Sequence, residues 1–282
     1  MMHPYIIPII AAFACAVCNG TAAVMQKISA DKEKNVSSLD IRLLWRLFQD
    51  LPYSAAIALD LLGWLFILYA VHYLPLFLVQ AIIAANIVVT ALIERLFRHR
   101  LIRPKSYLAI ATILVGLVVL AVASSPGQAE SISNLLKWLI VLSPLPIGAV
   151  GYVLARSKSH WVSIGLAILS GLAFGDTLVV SRIFKISQPV WHTIYSPFVF
   201  TLIASGILGL LLFSIALQRA QATVINAATT ASQSLISAIV GIAFLGDETR
   251  NGMWYLVALG TSLAFGGVVF LALSHNKSEI RA

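Results

Sequence analysis

The sequence predicts an all-α polytopic membrane protein. About nine transmembrane helices form two inverted four-helix repeats joined by a linker helix, with one short amphipathic helix lying in the interface. Three observations predict this fold. Hydrophobic residues make up 60% of the chain and charged residues 11%, with a mean hydropathy of +0.93, against roughly half and a quarter in soluble domains. Apolar runs long enough to cross about 30 Å of hydrocarbon recur throughout. One of them, Leu74 to Arg98, carries the amides Gln80 and Asn86 at membrane depth, and its pattern returns in Ala220 to Leu245. Gln80 falls on Asn226, Asn86 on Ser232 and, just upstream, Ala70 on Ala216, the signature of a duplicated unit.

The first repeat covers residues 1–124. Tyr5 to Lys27 is its first span, with Pro4 and Pro8 in the opening turns, where a missing amide costs little, and Asn19-Gly20-Thr21 in its inner half. It is too long for a signal-peptide core and should remain as a span. Residues 39–51 are too few to cross and place Leu39, Leu43, Leu47 and Leu51 on one face, with Arg42, Arg46 and Gln49 on the other. That pattern predicts a helix lying flat at the headgroups. Pro52 to Tyr73 is the second span and holds Asp60. A very short joint at Pro75 leads into the third, and Tyr107 to Ala123 is the fourth.

Residues 125–160 are a polar connector and a linker span, Leu135 to Ala155, interrupted by Pro144 and Pro146. The second repeat, 161–274, begins with Trp161 to Ile183, where Gly171 and Gly175 are spaced for close helix approach and Asp176-Thr177 align with Gly20-Thr21. Tyr195 to Leu217, Ala220 to Leu245 and Met253 to Ser274 complete it, and 275–282 is a polar tail. The odd linker makes the second repeat run opposite to the first.

Basic residues collect on the cytoplasmic side of membrane proteins. With the N-terminus outside and the C-terminus cytoplasmic, only Lys137, Arg182, Lys185 and Arg250 of the 19 basic residues lie outside. The expected location is therefore integral to the plasma (cytoplasmic) membrane. The net charge of +8 serves orientation in the lipid bilayer, and no nucleic acid partner is expected. Cys15 and Cys18 form a Cys-x-x-Cys inside an apolar helix, without a second pair, and read as packing residues. No phosphate-binding Gly-x-x-x-x-Gly-Lys-Ser/Thr, His-x-x-x-His pair or Gly-x-Ser-x-Gly occurs, so neither an enzyme nor a cofactor is expected. Glu94-Arg95 reads as an ion pair at headgroup level.

Leu74-Pro75-Leu76-Phe77-Leu78-Val79-Gln80 after the tight hairpin, echoed by Ala216-Leu217-Gln218-Arg219-Ala220-Gln221-Ala222-Thr223-Val224 and Gly246-Asp247-Glu248-Thr249, resembles the drug/metabolite transporter superfamily. The nine-span count is similar to its NIPA-like branch, whose eukaryotic members are associated with magnesium; the ten-span EamA branch is the other relative. Gln80-Ala81-Ile82-Ile83 stands where the NIPA-like branch tends to carry a Thr-Pro-Leu-Gly type sequence. The resemblance implies a secondary carrier, a permease with a central cavity between inverted halves.

Buried polar residues are costly in hydrocarbon and mark pathways or interhelical bonds. On that ground Asn19, Gln80, Asn86, Asn226 and Gln233 are the candidate substrate-binding residues, with Gln80 and Asn226 expected to flank one cavity. Asp60 and Asp176 are the candidate coupling-ion or proton sites. A small metabolite, drug-like or amphipathic solute suits aromatic groups such as Trp64, Phe66 and Phe174. The alternatives are a magnesium or other divalent cation, or a non-transporting membrane subunit that stabilises a partner. A homodimer is left open.

Overall fold

Within hydrocarbon a backbone must satisfy its own polar groups, and the apolar runs of this chain do so as helices. The computed structural model describes residues 6–33, 39–73, 82–98, 104–125, 134–157, 161–183, 196–244, 248–249 and 252–276. These form α1 (Ile6–Lys32), α2 (Ile41–Phe48), α3 (Leu51–Tyr73), α4 (Asn86–Arg98), α5 (Pro104–Ala123), α6 (Asn134–Leu142), α7 (Pro144–Arg156), α8 (Val162–Ile183), α9 (Pro197–Arg219), α10 (Ala222–Phe244) and α11 (Trp254–Asn276). One antiparallel pair of two-residue strands, β1 (Ser124–Ser125) and β2 (Glu248–Thr249), completes the described elements.

Four stretches are long and apolar enough to cross a membrane: Ile6–Lys32, Asn134–Arg156, Val162–Val180 and Pro197–Arg219. A fifth is reached if α2 and the start of α3 count as one bent unit. Shorter apolar stretches lie in α5 and α11, Tyr107–Leu120 and Trp254–Val268. Ile10 and Phe13 of α1, Leu61 and Leu65 of α3, and Phe200 and Ile203 of α9 are exposed, the outward apolar surface of a membrane protein. The chain is an α-helical integral membrane protein.

The bend between α2 and α3 is 97°, which turns α2 across the direction of the spans. Asp40 caps α2 by accepting from the Arg42 amide at 2.9 Å. Leu43, Leu44 and Leu47 are buried against the bundle, while Ile41, Trp45 and Phe48 stay exposed. Leu51, expected on the same face as Leu43 and Leu47, is instead 81% exposed, because it already belongs to α3 and the bend carries it off the α2 face. Lys32 Nζ donates to both oxygens of Asp50 at 2.8 Å, tying α1 to this corner. Those bonds hold the Asp50 carboxyl below the ordinary carboxylate range. A lowered folded-state pKa gives stability that is present above the unfolded value and lost as pH falls through the folded one. Asp50→Asn is therefore expected to flatten the acid limb of a melting-temperature profile recorded from roughly pH 5 to pH 2.

The linker breaks where its prolines predict. The Ser143 amide reaches back to the Ile140 carbonyl at 3.2 Å, and Pro144 opens α7. The main helix pairs are α1 on α3, α8 on α9, α8 on α10 and α5 on α11, with α4 set between α1 and α10. Small residues make the tightest crossings. A Cβ at Gly116 of α5 would lie 2.5 Å from the Ala264 amide nitrogen of α11, and one at Gly171 of α8 would lie 2.4 Å from the Thr229 carbonyl oxygen of α10, the close approach expected at Gly171.

Candidate functional site

A row of buried polar residues between the two halves of the chain lines a seam where α4 faces α10. Asn86, Thr90 and Glu94 stand at i, i+4 and i+8 on α4 and therefore share a face; Thr223, Asn226 and Thr230, at i, i+3 and i+7, share one on α10. Asn226 Nδ2 donates to Thr90 Oγ1 at 2.8 Å and to Asn86 Oδ1 at 3.3 Å. Thr90 Oγ1 shares its one proton between the Asn86 carbonyl at 2.9 Å and the Gly20 carbonyl of α1 at 3.1 Å. Asn86, Thr90 and Asn226 are all buried. Gly20 is required at the base of this cluster, since a Cβ there would sit 2.7 Å from the Asn86 carbonyl oxygen.

The stretch expected to run as one helix from Leu74 to Arg98 is interrupted just before the seam. Ala84 and Ala85 form a turn, with the Ala85 amide bonded to Ile82 and the Ile87 amide to Ala84 at three-residue spacing. Such breaks at membrane depth are tolerated where the backbone is buried in protein or lines a cavity. Gln80 lies outside the described residues, so its pairing with Asn226 is not on view. Among the described residues Asn226 meets Thr90 and Asn86, both in direct contact.

Glu94 is a correction to the sequence reading. It is only 1% exposed, and its bonds run to α10 rather than to Arg95. Its carboxylate accepts from the Ala222 amide at 3.1 Å, the Thr223 amide at 2.9 Å and Thr223 Oγ1 at 2.7 Å. A side chain from α4 thus caps the first turn of α10, where free amides and the helix dipole favour a negative charge. Lys27 of α1 is likewise buried, and its ammonium donates to the Leu217 carbonyl of α9 and to Asp31, both at 2.5 Å. Sequence reasoning counted Lys27 only as an orienting charge.

Away from the seam, each half holds a carboxylate bonded between two of its helices, half-buried at Asp60 and buried at Asp176. Asp60 of α3 accepts from Gln26 Nε2 of α1 at 2.6 Å. Gln26 is buried, and its other amide atom, Oε1, has no hydrogen-bond partner among the described residues. Asp176 of α8 accepts from Ser205 Oγ of α9 at 2.5 Å. It also interacts with the hydroxyl of Ser143, at the break in the linker. Asp60 lies in the N-terminal half of α3 and Asp176 in the C-terminal half of α8.

The remaining candidates are dispersed. Asn19 turns toward α3: its Nδ2 points at Cys15 Sγ, 3.6 Å away, and its Oδ1 would be 2.5 Å from a Cβ on Gly63. Gln233 meets α8 through its backbone, beneath Gly171 and Gly175. Trp64 is exposed and Phe174 packs on Gly209. Among the described residues no three His, Cys, Asp or Glu side chains converge as a metal site. The arrangement is therefore one hydrogen-bonded seam between the halves, flanked by two separate carboxylate pairs, and the feature that could have revealed Glu94 is its place on the Asn86–Thr90 face. No protein-family model, curated protein or solved structure matches the chain.

Proposed function

We propose that the chain is a secondary transporter of a small solute, a metabolite, drug-like or amphipathic compound, working by alternating access between two inverted repeats of a nine-span, drug/metabolite-transporter-like bundle. The observation that carries this reading is the paired placement of Asp60 and Asp176, each bonded by neutral donors between two helices of its own half: Asp60 by Gln26, and Asp176 by Ser205 with the Ser143 hydroxyl of the linker beside it. Carboxylates at membrane depth are expensive unless a proton or cation is handled there. Helix pairing supports the repeat: α1 with α3 corresponds to α8 with α9, and the third and fourth units of the two halves, α4 with α10 and α5 with α11, pack on each other. The β1–β2 pair supports the topology, since it joins the end of α5 to the start of α11, which nine spans place on the same side.

One observation favours the second reading, a non-transporting subunit: Asn226 bonds Asn86 directly, as interhelical amides do when they only hold helices together. The magnesium reading needs several converging oxygen ligands and has less support. The test compares metabolite and metal content of cells that make the protein, cells that lack it, and cells that make Asp60→Asn plus Asp176→Asn. A solute that changes with the parent protein and reverts in the variant supports transport. Identical profiles in all three, with protein in the membrane, sink it, and co-purification of a stoichiometric partner would then establish the subunit.

A further inference from the structure

Alternating access requires the two halves to part at one end of the bundle at a time. Among the described residues, the polar bonds that cross between the halves are unevenly distributed along it. At the end where α1, α4, α7 and α9 finish and α3, α8 and α10 begin, three such links lie together. Lys27 Nζ of α1 donates to the Leu217 carbonyl of α9 at 2.5 Å, and Tyr53 Oη of α3 meets Ser214 Oγ of α9 at 3.1 Å. Glu94 of α4 accepts three bonds from Ala222 and Thr223 of α10. All of these side chains are buried.

The two charged links complement the helix dipoles they touch. The ammonium of Lys27 sits in the last turn of α9, where carbonyls point outward, and the carboxylate of Glu94 sits on the first amides of α10. Together they grip the α9–α10 joint from both sides with two side chains of the first half. Arg219, inside the joint, donates to the Ala155 carbonyl of α7, in the linker, at 2.7 Å. The α5–α11 crossing is of another kind. It is sealed by backbone contacts at Gly116, Gly260 and Gly267, which have no soft degree of freedom and suit a fixed hinge.

We infer that Lys27 and Glu94 are the latch of a gate at the α9–α10 joint, closed in this conformation, and that opening this end requires both to release the joint while α5 and α11 stay packed. The inference rests on the transport reading, but its test reads opening without any solute. Charge bias puts this end in the cytoplasm.

The reporter is Thr230→Cys, on the α10 seam beyond Asn226, in a Cys15→Ala, Cys18→Ala background. A membrane-impermeant maleimide is applied to inside-out vesicles. Glu94→Gln keeps the shape but removes the charge, and Lys27→Met keeps the stem; each is expected to raise the labelling rate about tenfold or more, a shift of about 1.4 kcal/mol in the closed–open equilibrium. Labelling unchanged in both variants overturns the latch. Should either variant fail to reach the membrane, hydrogen exchange in the unsubstituted protein decides. Backbone amides at 214–226 should exchange at least about tenfold faster than those at 109–117 and 260–268, and equal protection at both overturns the proposal. A gate that opens in a protein that carries nothing removes the transport reading and leaves the latch standing, whereas coupled uptake with unchanged labelling does the reverse.

Discussion

Gly116→Ala is expected to destabilise the protein more than any other single-methyl addition to α5, and Gly116→Leu to leave no monodisperse protein in detergent. The added Cβ would lie 2.5 Å from the Ala264 nitrogen, 2.8 Å from the Gly260 carbonyl oxygen and 3.0 Å from the Ala264 Cα. All three are backbone atoms, so no rotamer change relieves the clash; the helices must move apart. Separation also opens the contacts at Gly260, whose Cβ position is 2.8 Å from both the Gly116 carbonyl and the Leu120 nitrogen. In lipid no hydrophobic effect drives the helices back together, because lipid tails replace side chains at little cost, and close packing is what holds them. Overpacking of this kind costs about 1–3 kcal/mol even where side chains can yield. Gly206→Ala provides the control, since nothing lies within 4 Å of a Cβ there, and it should melt within about 0.5 kcal/mol of the parent. A Gly116→Ala protein with the parent's melting temperature would show that α5 and α11 are not packed as described.

The same contrast shows what the sequence made legible. Long apolar runs with Pro and Gly at their edges set the helix positions to within a few residues, as for the span expected from Tyr195 to Leu217 and found as α9. Asp60 and Asp176 stood out because a carboxylate inside such a run is costly and needs either a functional role or hydrogen bonds from neighbouring helices. Glu94 and Lys27 did not stand out, because both lie near the end of a helix beside other charges, where a solvated role is the common one. Which end of a helix is roofed over by its neighbours depends on packing between segments far apart in sequence, and periodicity within one segment does not encode it. The break at Ala84–Ala85 was invisible for a related reason. No Pro or Gly marks it, and the nearest close approach to another helix, Gly20 of α1 against Asn86 and Val89, joins segments far apart in sequence. The cavity expected between Gln80 and Asn226 rested on equivalence in the repeat. Gln80 lies outside the described residues, and among those described Asn226 bonds Thr90 and Asn86, the latter already among the candidate residues.

Asp60→Asn should separate a coupling role from a structural one most sharply, through opposite effects on stability and on transport. The carboxylate accepts from Gln26 Nε2 at 2.6 Å and leaves Gln26 Oε1 buried and unpaired among the described residues. A buried acceptor without a partner costs about 1–3 kcal/mol, and such groups persist in native proteins chiefly at functional sites. An asparagine at position 60 carries both an acceptor and a donor, so its amide can answer both atoms of Gln26. The variant should melt at or above the parent, where a carboxylate kept only as interhelical glue would cost stability on replacement. Transport should move the other way. A proton-coupled carrier concentrates its solute by up to about tenfold for each pH unit of gradient, the equivalent of 1.36 kcal/mol, and without a titrating group it only equilibrates. Asp176→Asn offers the comparison: Ser205 Oγ can still donate to an amide oxygen there, but among the described residues no orphaned acceptor awaits the new donor, so no gain in stability is expected. Proteoliposomes loaded with a pH gradient and offered the solute identified in cells give the measurement. If both asparagine variants accumulate it to the parent's level, neither carboxylate couples transport, and both belong to the architecture of the bundle.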